Sequence, residues 1–423
     1  AGFHRNIAIG YQTMANVGSN GPDDNVAIGY QAFKDLTTAN SSTAVGSYAG
    51  YSITTGTENT ALGYASLYHN VTGNYNTAIG RGAGARFLNS DSTAIGYYAG
   101  HYASGSDNTF VGSEAGKGGT TSAPYSSGEY NVAVGANALT GFTTGTRVVA
   151  VGYNAGASLT TGGQSVFIGY NAGDAITDNY RNIAIGDNAL SEDADDDNIA
   201  IGVFALKALA GGGSGNIGIG TRAGETLTTG VRNIAIGWRT MWDLDAGSNS
   251  SDSEDNIAIG YAAMNGTWAD TRSDKNVAIG NYAMDGALDG ANYNVALGYG
   301  ALSSITGDDA NVAIGHEAML QGGGSQNIAI GDKAMYQGPT GGTNYAIGRY
   351  TMMDCNAGAT ALSSNSNIAI GHAALGGTWA DTASNYNIAI GHYAMDAGVD
   401  GALRNIAIGY EALTDLTTGD NSI

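Results

Sequence analysis

The 423-residue sequence has one cysteine, Cys355, and three prolines. A disulfide scaffold is therefore excluded. Collagen is excluded as well, because proline is scarce and glycine does not fall at every third position. Charged residues make up 13% of the chain, about half the usual ~25%. Only 16 residues are basic against 37 acidic, and the net charge of −21 would repel a phosphate backbone, which argues against nucleic acid as a partner. No run of 18 apolar residues occurs, so no transmembrane helix is expected and no membrane insertion by this segment. No signal peptide opens the sequence. What is abundant is glycine, at 68 residues, and tyrosine, at 25, in a chain that is 43% hydrophobic. That composition is too apolar for an acidic disordered chain.

The glycines are phased. A five-residue phrase, Asn6-Ile7-Ala8-Ile9-Gly10, recurs as Asn182-Ile183-Ala184-Ile185-Gly186, Asn256 to Gly260 and Asn405 to Gly409, and with substitutions in 23 copies from Gly10 to Gly409. The commonest spacing is 17 residues. Such a period is the mark of a solenoid. The copies run through residues 1–423, so the chain is expected to be one continuous repeat region. A longer period lies on top: Gly266-Thr-Trp268-Ala-Asp270-Thr271 returns 111 residues later as Gly377-Thr-Trp379-Ala-Asp381-Thr382. Residues 237–347 and 348–423 thus read as two copies of one block, the second shortened. Ser422 falls at the Asn position of the next phrase, and neither end reads as a polar cap. The chain is accordingly expected to be a segment of a longer protein, continuing with Ala, then Ile or Val, then Gly.

Counting from the phrase glycine as zero, position −1 is Ile, Val or Leu in every copy, −2 is Ala in 20, +3 is always small and −4 is Asn in 19. Alternating β-branched residues at −3 and −1 predict a strand, apolar on both faces. Strands of that kind are covered on both sides, and a lone solenoid covers only one, so a second copy of the chain is the expected partner. The Asn column can stack as a ladder of amides from coil to coil. An apolar residue at +7 precedes a turn in Leu159-Thr160-Thr161-Gly162, Leu227-Thr228-Thr229-Gly230 and Leu416-Thr417-Thr418-Gly419. Each coil therefore reads as two strands of about five residues joined by turns. Inserts at 117–129, 243–255 and 354–366 should bulge as loops. The fold class is all-β, a parallel β-solenoid or β-roll of about 23 coils, on the order of 100 Å long at ~4.8 Å per coil.

Chemistry-bearing patterns are sparse. Gly211–Gly213 and Gly322–Gly324 lack the Lys-Ser/Thr of a phosphate loop. Acidic clusters at Asp23–Asp24, Glu192–Asp197, Asp252–Asp255 and Asp308–Asp309 precede strands, where they serve solubility. Asp193, Asp195 and Asp197 offer alternating oxygen ligands for calcium without the Gly and distal Glu of an EF-hand loop. His372 and His392 share position +1 in consecutive coils, with His316 at the same position elsewhere. Metal and catalytic residues are assigned to none of these, and no cofactor is expected. The Thr run at −3, from Thr43 to Thr109, lacks the second Thr per coil of an ice-binding array. The aromatics are more regular. Position +1 is Tyr in nine copies, among them Tyr153, Tyr170, Tyr261 and Tyr299, and Trp at 238. Stacked along the solenoid they could form a platform for sugar rings, or pack across coils or against another subunit. Trp268 and Trp379 join them as candidate contacts, with anchoring of an insert loop as the other reading.

The phrase Asn-x-Ala-Ile-Gly-x-x-Ala resembles the head repeat of trimeric autotransporter adhesins of the YadA type, and its longer form ending in Thr-Thr-Gly resembles the repeats of bacteriophage tail-fibre proteins. The resemblance implies a left-handed β-roll, a homotrimer and an attachment role outside the cell, in a virion fibre or on a bacterial surface, toward a host-surface glycan or receptor. It implies no enzyme. A glycan-degrading tailspike-type hydrolase, with two carboxylates in a groove, is the alternative from another class; a purely structural surface filament is a third. The coils here are longer than the adhesin repeat, and neither a coiled-coil stalk nor an anchor is present.

Overall fold

Coils with a strand, a strand-end glycine and a short return path stack in parallel throughout the computed structural model. It describes residues 4–18, 21–242, 252–268, 271–354, 363–379 and 382–423. Cys355, Asp270, Asp381 and the middles of the second and third inserts lie outside the described residues. The chain divides into two compact units, Ala1–Phe204 and Ala205–Ile423. Unit 1 carries the strands from β1 (Ile7–Ile9) to β12 (Ile199–Ile201), and unit 2 those from β13 (Ile217–Ile219) to β23 (Ile406–Ile408). Within each unit, successive strands pair parallel and in register, as in Val166↔Ile183 and Val277↔Val295. Both units are parallel β-solenoids with no α-helix among the described residues.

The strands are three residues long, and each coil has one of them. The second five-residue strand expected from the sequence is absent among the described residues. Its place is taken by turns that still exchange parallel backbone bonds with the next coil, as from the Thr143 N–H to the Thr160 carbonyl at 2.8 Å and from the Leu139 N–H to the Ala155 carbonyl at 2.9 Å. The cause is backbone conformation. Positions −5, +2 and +4 have φ between +46° and +67° in every coil, including Phe33, Leu139 and Met335. Left-handed residues break the pleat, and non-glycine side chains adopt them at a cost of ~1–2 kcal/mol each. Coil-to-coil hydrogen bonds and core burial offset that strain.

The phrase glycine is required for two reasons. Its φ lies between +128° and +143°. A Cβ at Gly169 would also stand 2.6 Å from the carbonyl oxygen of Gly186 in the coil above, and one at Gly260 would meet Gly280 at the same distance. Coils therefore touch backbone to backbone at this column.

The Asn column forms the expected ladder. In unit 2 the backbone N–H and Nδ2 of Asn294 both donate to Oδ1 of Asn276, at 3.0 and 3.1 Å, and Nδ2 also reaches the Asp308 carbonyl at 2.8 Å. Asn256 and Asn405 repeat the rung onto Asn233 and Asn387. In unit 1, Asn182 donates to the Ser165 hydroxyl and accepts from the Asn198 N–H at 2.9 Å. Serine serves as a rung because one side-chain oxygen is enough to accept the next N–H. These residues are buried.

The two strand faces differ in an unexpected way. Alanine at −2, such as Ala184, is buried, while the bulky Ile or Val at −3 and −1, such as Ile185, points outward partly exposed. The interior is already filled by +4 and +7 side chains, including Leu139, Leu159, Ile176 and Leu227. Phe replaces Ala at −2 only where glycine stands at +4 in its own and the preceding coil. Phe110 lies against Gly100 and Gly116, and Phe167 against Gly156 and Gly173. The first insert bulges outward as expected, with residues 121–124 exposed.

Candidate binding face: aromatic rows beside the strand

Immediately after the strand-end glycine the chain turns outward, so the +1 side chains of successive coils lie about one strand spacing apart, ~4.8 Å. Aromatic rings at that spacing are in stacking range. In unit 1, Tyr153 and Tyr170 stack at 5.5 Å between centroids and 11° between planes, and Tyr11 with Tyr30 does the same at 5.5 Å and 10°. In unit 2, Trp238 stacks on Tyr261 at 5.0 Å, and Tyr299 stacks on His316 at 5.6 Å. Exposure fits a contact surface: Tyr153 47%, Tyr170 50%, Trp238 39%, Tyr261 41% and Tyr299 50%.

Position +2 adds members that the +1 pattern does not reveal. Tyr282 sits edge-on to Tyr261 at 5.2 Å and to Tyr299 at 5.7 Å, closing the row from Trp238 to His316. Its phenol is pushed above the ordinary tyrosine value, first by its hydrogen bond with Tyr261 and then by burial. Tyr48 plays the same part in unit 1, between Tyr30 and Tyr64. Beside the row, Arg239 lies over the rings of both Trp238 and Trp242, at 4.2 and 4.4 Å. A count of aromatics at +2 and +5 as well as +1 would have found these residues.

Trp268 and Trp379 do not belong to this face. Both are completely buried, and Trp379 donates its indole N–H to the Leu375 carbonyl at 3.3 Å. Position +8 is turned inward in these two coils, whereas Val71 and Leu88 at the same phase elsewhere are exposed; the two tryptophans are core side chains.

Three of the four acidic turns form cross-coil ion pairs, while Asp309 of the fourth accepts hydrogen bonds from Asn292. Arg5 meets Asp24, Arg181 meets Asp196 and Asp197, and Arg232 meets Glu254 and Asp255. In each case Arg and its principal Asp occupy the same −5 position of consecutive coils. The Asp197 carboxyl is held below its ordinary value by the hydrogen bond from Arg181. Asp193 turns instead to Thr177 and Asn179, so the alternating acids of that turn are engaged separately. Among the described residues no group of three or more His, Cys, Asp or Glu side chains is placed to hold a metal ion. His316 faces Asp332 at 3.0 Å, and His372 and His392 lie 4.6 Å apart.

A cavity opens on this face in each unit. In unit 2 a cavity of about 460 Å³ is lined by Lys333, Tyr350, Met353, His372, Ala373, Gly376 and Tyr393. In unit 1 a cavity of about 200 Å³ is lined by Ala65, Tyr68, His69, Ala85, Arg86 and His101. Burial, then Arg86 and His101, lowers the His69 pKa to about 4. His101 is also lowered, chiefly by burial, and its Nδ1 lies 2.8 Å from the Gly82 carbonyl. Nδ1 must be the donor to that oxygen, which leaves Nε2 as an acceptor in the neutral ring. No protein-family model matches the chain, and no curated protein matches it.

Proposed function

We propose that this chain is a self-assembling shaft or head segment of an extracellular attachment fibre, of the kind its repeat resembles in phage tail fibres and bacterial surface adhesins. The observation that carries this reading is the outward strand face, which presents an aliphatic side chain at −1 in each described strand. A second stands at −3 except at Thr43, Thr60, Thr77, Thr93, Thr109 and Tyr345, as in Ile183 and Ile185 or Ile257 and Ile259. Covering an aliphatic side chain that is at most about a third exposed contributes roughly 0.5–1 kcal/mol, about a third of the full-burial value. Summed over the coils of each unit, that is a large driving force for association. A second and third copy of the same chain have the matching pitch, and the homotrimer implied by the resemblance uses it. The exposed aromatic rows are the parts free to meet a host-surface glycan or receptor. Catalysis is not part of the proposal.

Native mass spectrometry at micromolar concentration tests it. The expected result is an oligomer, with a trimer the specific expectation. Ile185→Asp with Ile259→Asp is expected to give monomers of unchanged secondary structure, because both side chains point out of the coil. A monomeric unaltered protein would overturn the reading. Incubation with polysaccharides should leave their chain lengths unchanged.

A further inference from the structure

The two cavities share a plan. In unit 2 the +2 side chains of four successive coils are Lys333, Tyr350, Ala373 and Tyr393. Alanine interrupts the +2 row, and Gly376 removes the next obstruction, so a pocket opens beside the His372 ring, which stands 5.8 Å from Tyr350 and 5.3 Å from Tyr393. In unit 1 the +5 side chains of three successive coils are Tyr68, Ala85 and His101. Again an alanine lies between two flat rings two coils apart. Each pocket is lined by an imidazole and a cation: His372 with Lys333, and His69 with Arg86.

Two coils span ~9.6 Å at the ordinary strand spacing. A planar aromatic guest needs about 7–8 Å between its two stacking partners, from carbon contacts of ~3.5–4.0 Å on each side. The extra ~2 Å suits a puckered ring with C–H groups on both faces. Tyrosine faces pack well against such C–H groups, and the lining offers what hydroxyls need. Neutral imidazoles accept, since His69 and His372 are both lowered by burial, and Lys333 and Arg86 donate. Lys333 is held by Glu317 at 3.3 Å, and the net charge of −21 disfavours polyanions.

We propose that these pockets are saccharide subsites for a neutral oligosaccharide, the unit 1 slot holding one pyranose ring between Tyr68 and His101 and the unit 2 pocket seating one against Tyr350, His372 and Tyr393. The proposal deepens the attachment reading and rests on it. The test uses the full chain with maltohexaose, cellohexaose, mannohexaose and chitohexaose as probes, followed by saturation-transfer NMR and calorimetry. At least one hexaose is expected to bind. Ala85→Tyr combined with Ala373→Tyr should weaken that binding tenfold or more with an unchanged melting temperature. Neighbouring coils already carry tyrosine at both positions, at Tyr68 and at Tyr350 and Tyr393, the latter two with φ of 58° and 57°. Should the plugged protein fail to fold, Tyr68→Ala with Tyr350→Ala decides the matter by the same tenfold loss. No binding by any hexaose, unchanged affinity in the plugged protein, or stronger binding of adenosine than of every hexaose would overturn the proposal. Surface attachment that survives the plug sinks the pockets and leaves the fibre reading standing. Hexaose binding by a protein that neither assembles nor attaches does the reverse.

Discussion

Unit 1 and unit 2 fill the same coil with different material. Phe33, Phe87, Phe110, Phe142 and Phe167 are all buried in unit 1, and glycine at +4 makes room for most of them. Unit 2 contains no phenylalanine; seven of its coils have methionine at +4, from Met241 to Met395. Its Asn ladder is uninterrupted, whereas Ser42, Ser92, Val148 and Ser165 replace Asn in unit 1. Large–small pairing needs each partner to match, while flexible thioethers adapt to irregular gaps. The backbone columns are shared, so the two units should differ in how they tolerate side-chain changes and agree in how they respond to backbone changes.

The largest effect is expected at the shared column. Gly169→Ala in unit 1 and Gly260→Ala in unit 2 should each cost about 4 kcal/mol or more, the range reserved for strain at a special φ combined with overpacking. Hydrogen exchange resolved by unit measures both, and a clear inequality would break the idea of a common backbone frame. Next comes Phe110→Ala, expected to cost ~3–5 kcal/mol. Adding Gly116→Met should recover ~1 kcal/mol or more, because it imports the filling of unit 2 into the space the ring leaves. Absence of coupling in chemical denaturation would show that the two fillings are not interchangeable.

Third is the ladder. Asn294→Ala removes the acceptor for both the N–H and Nδ2 of Asn311, at 2.9 and 3.1 Å, in a buried column. A loss of ~2–3 kcal/mol is expected, against ~1 kcal/mol for Ser92→Ala, whose hydroxyl accepts one N–H at 3.3 Å. Equal losses in thermal melts would erase the distinction between the two ladders. The smallest effect is with pH. The folded-state pKa of His69 is near 4, below its unfolded value of ~6.5, so the unfolded chain takes up the proton first. Unit 1 should lose stability as pH falls from about 6.5 to 4, and His69→Gln should flatten that dependence. A slope unchanged in the variant would assign the effect elsewhere.

Much of the frame is readable from one chain because ladders force identity. Only glycine tolerates both the φ and the carbonyl contact at position zero, and only a short side-chain oxygen completes the −4 rung, so those columns stand out without any alignment. The turns are hidden for the opposite reason. Left-handed φ at Phe33, Leu67 and Met284 runs against the ordinary preference of those residues and is held by tertiary bonds. Nor does hydrophobicity say which face is inside: Ile is more apolar than Ala, yet the narrow interior admits Ala and turns Ile out. The burial of Trp268 and Trp379 is not legible from phase alone, since Val71 and Leu88 at the same +8 position are exposed and most coils bury +7 instead. The compensation of Phe110 by Gly100 and Gly116 was present in the sequence as a phase relation between columns.

Every rung of these ladders joins a coil to its immediate neighbour, at sequence separations set by the coil itself. A break placed at the same phase in two different coils therefore yields ends that fit each other. Unequal crossing-over between repeats adds or deletes whole coils while keeping Gly on Gly and Asn on Asn, as the block recurring after 111 residues illustrates. Coil number becomes a quantity that recombination can vary freely, one integer at a time, without redesigning any contact.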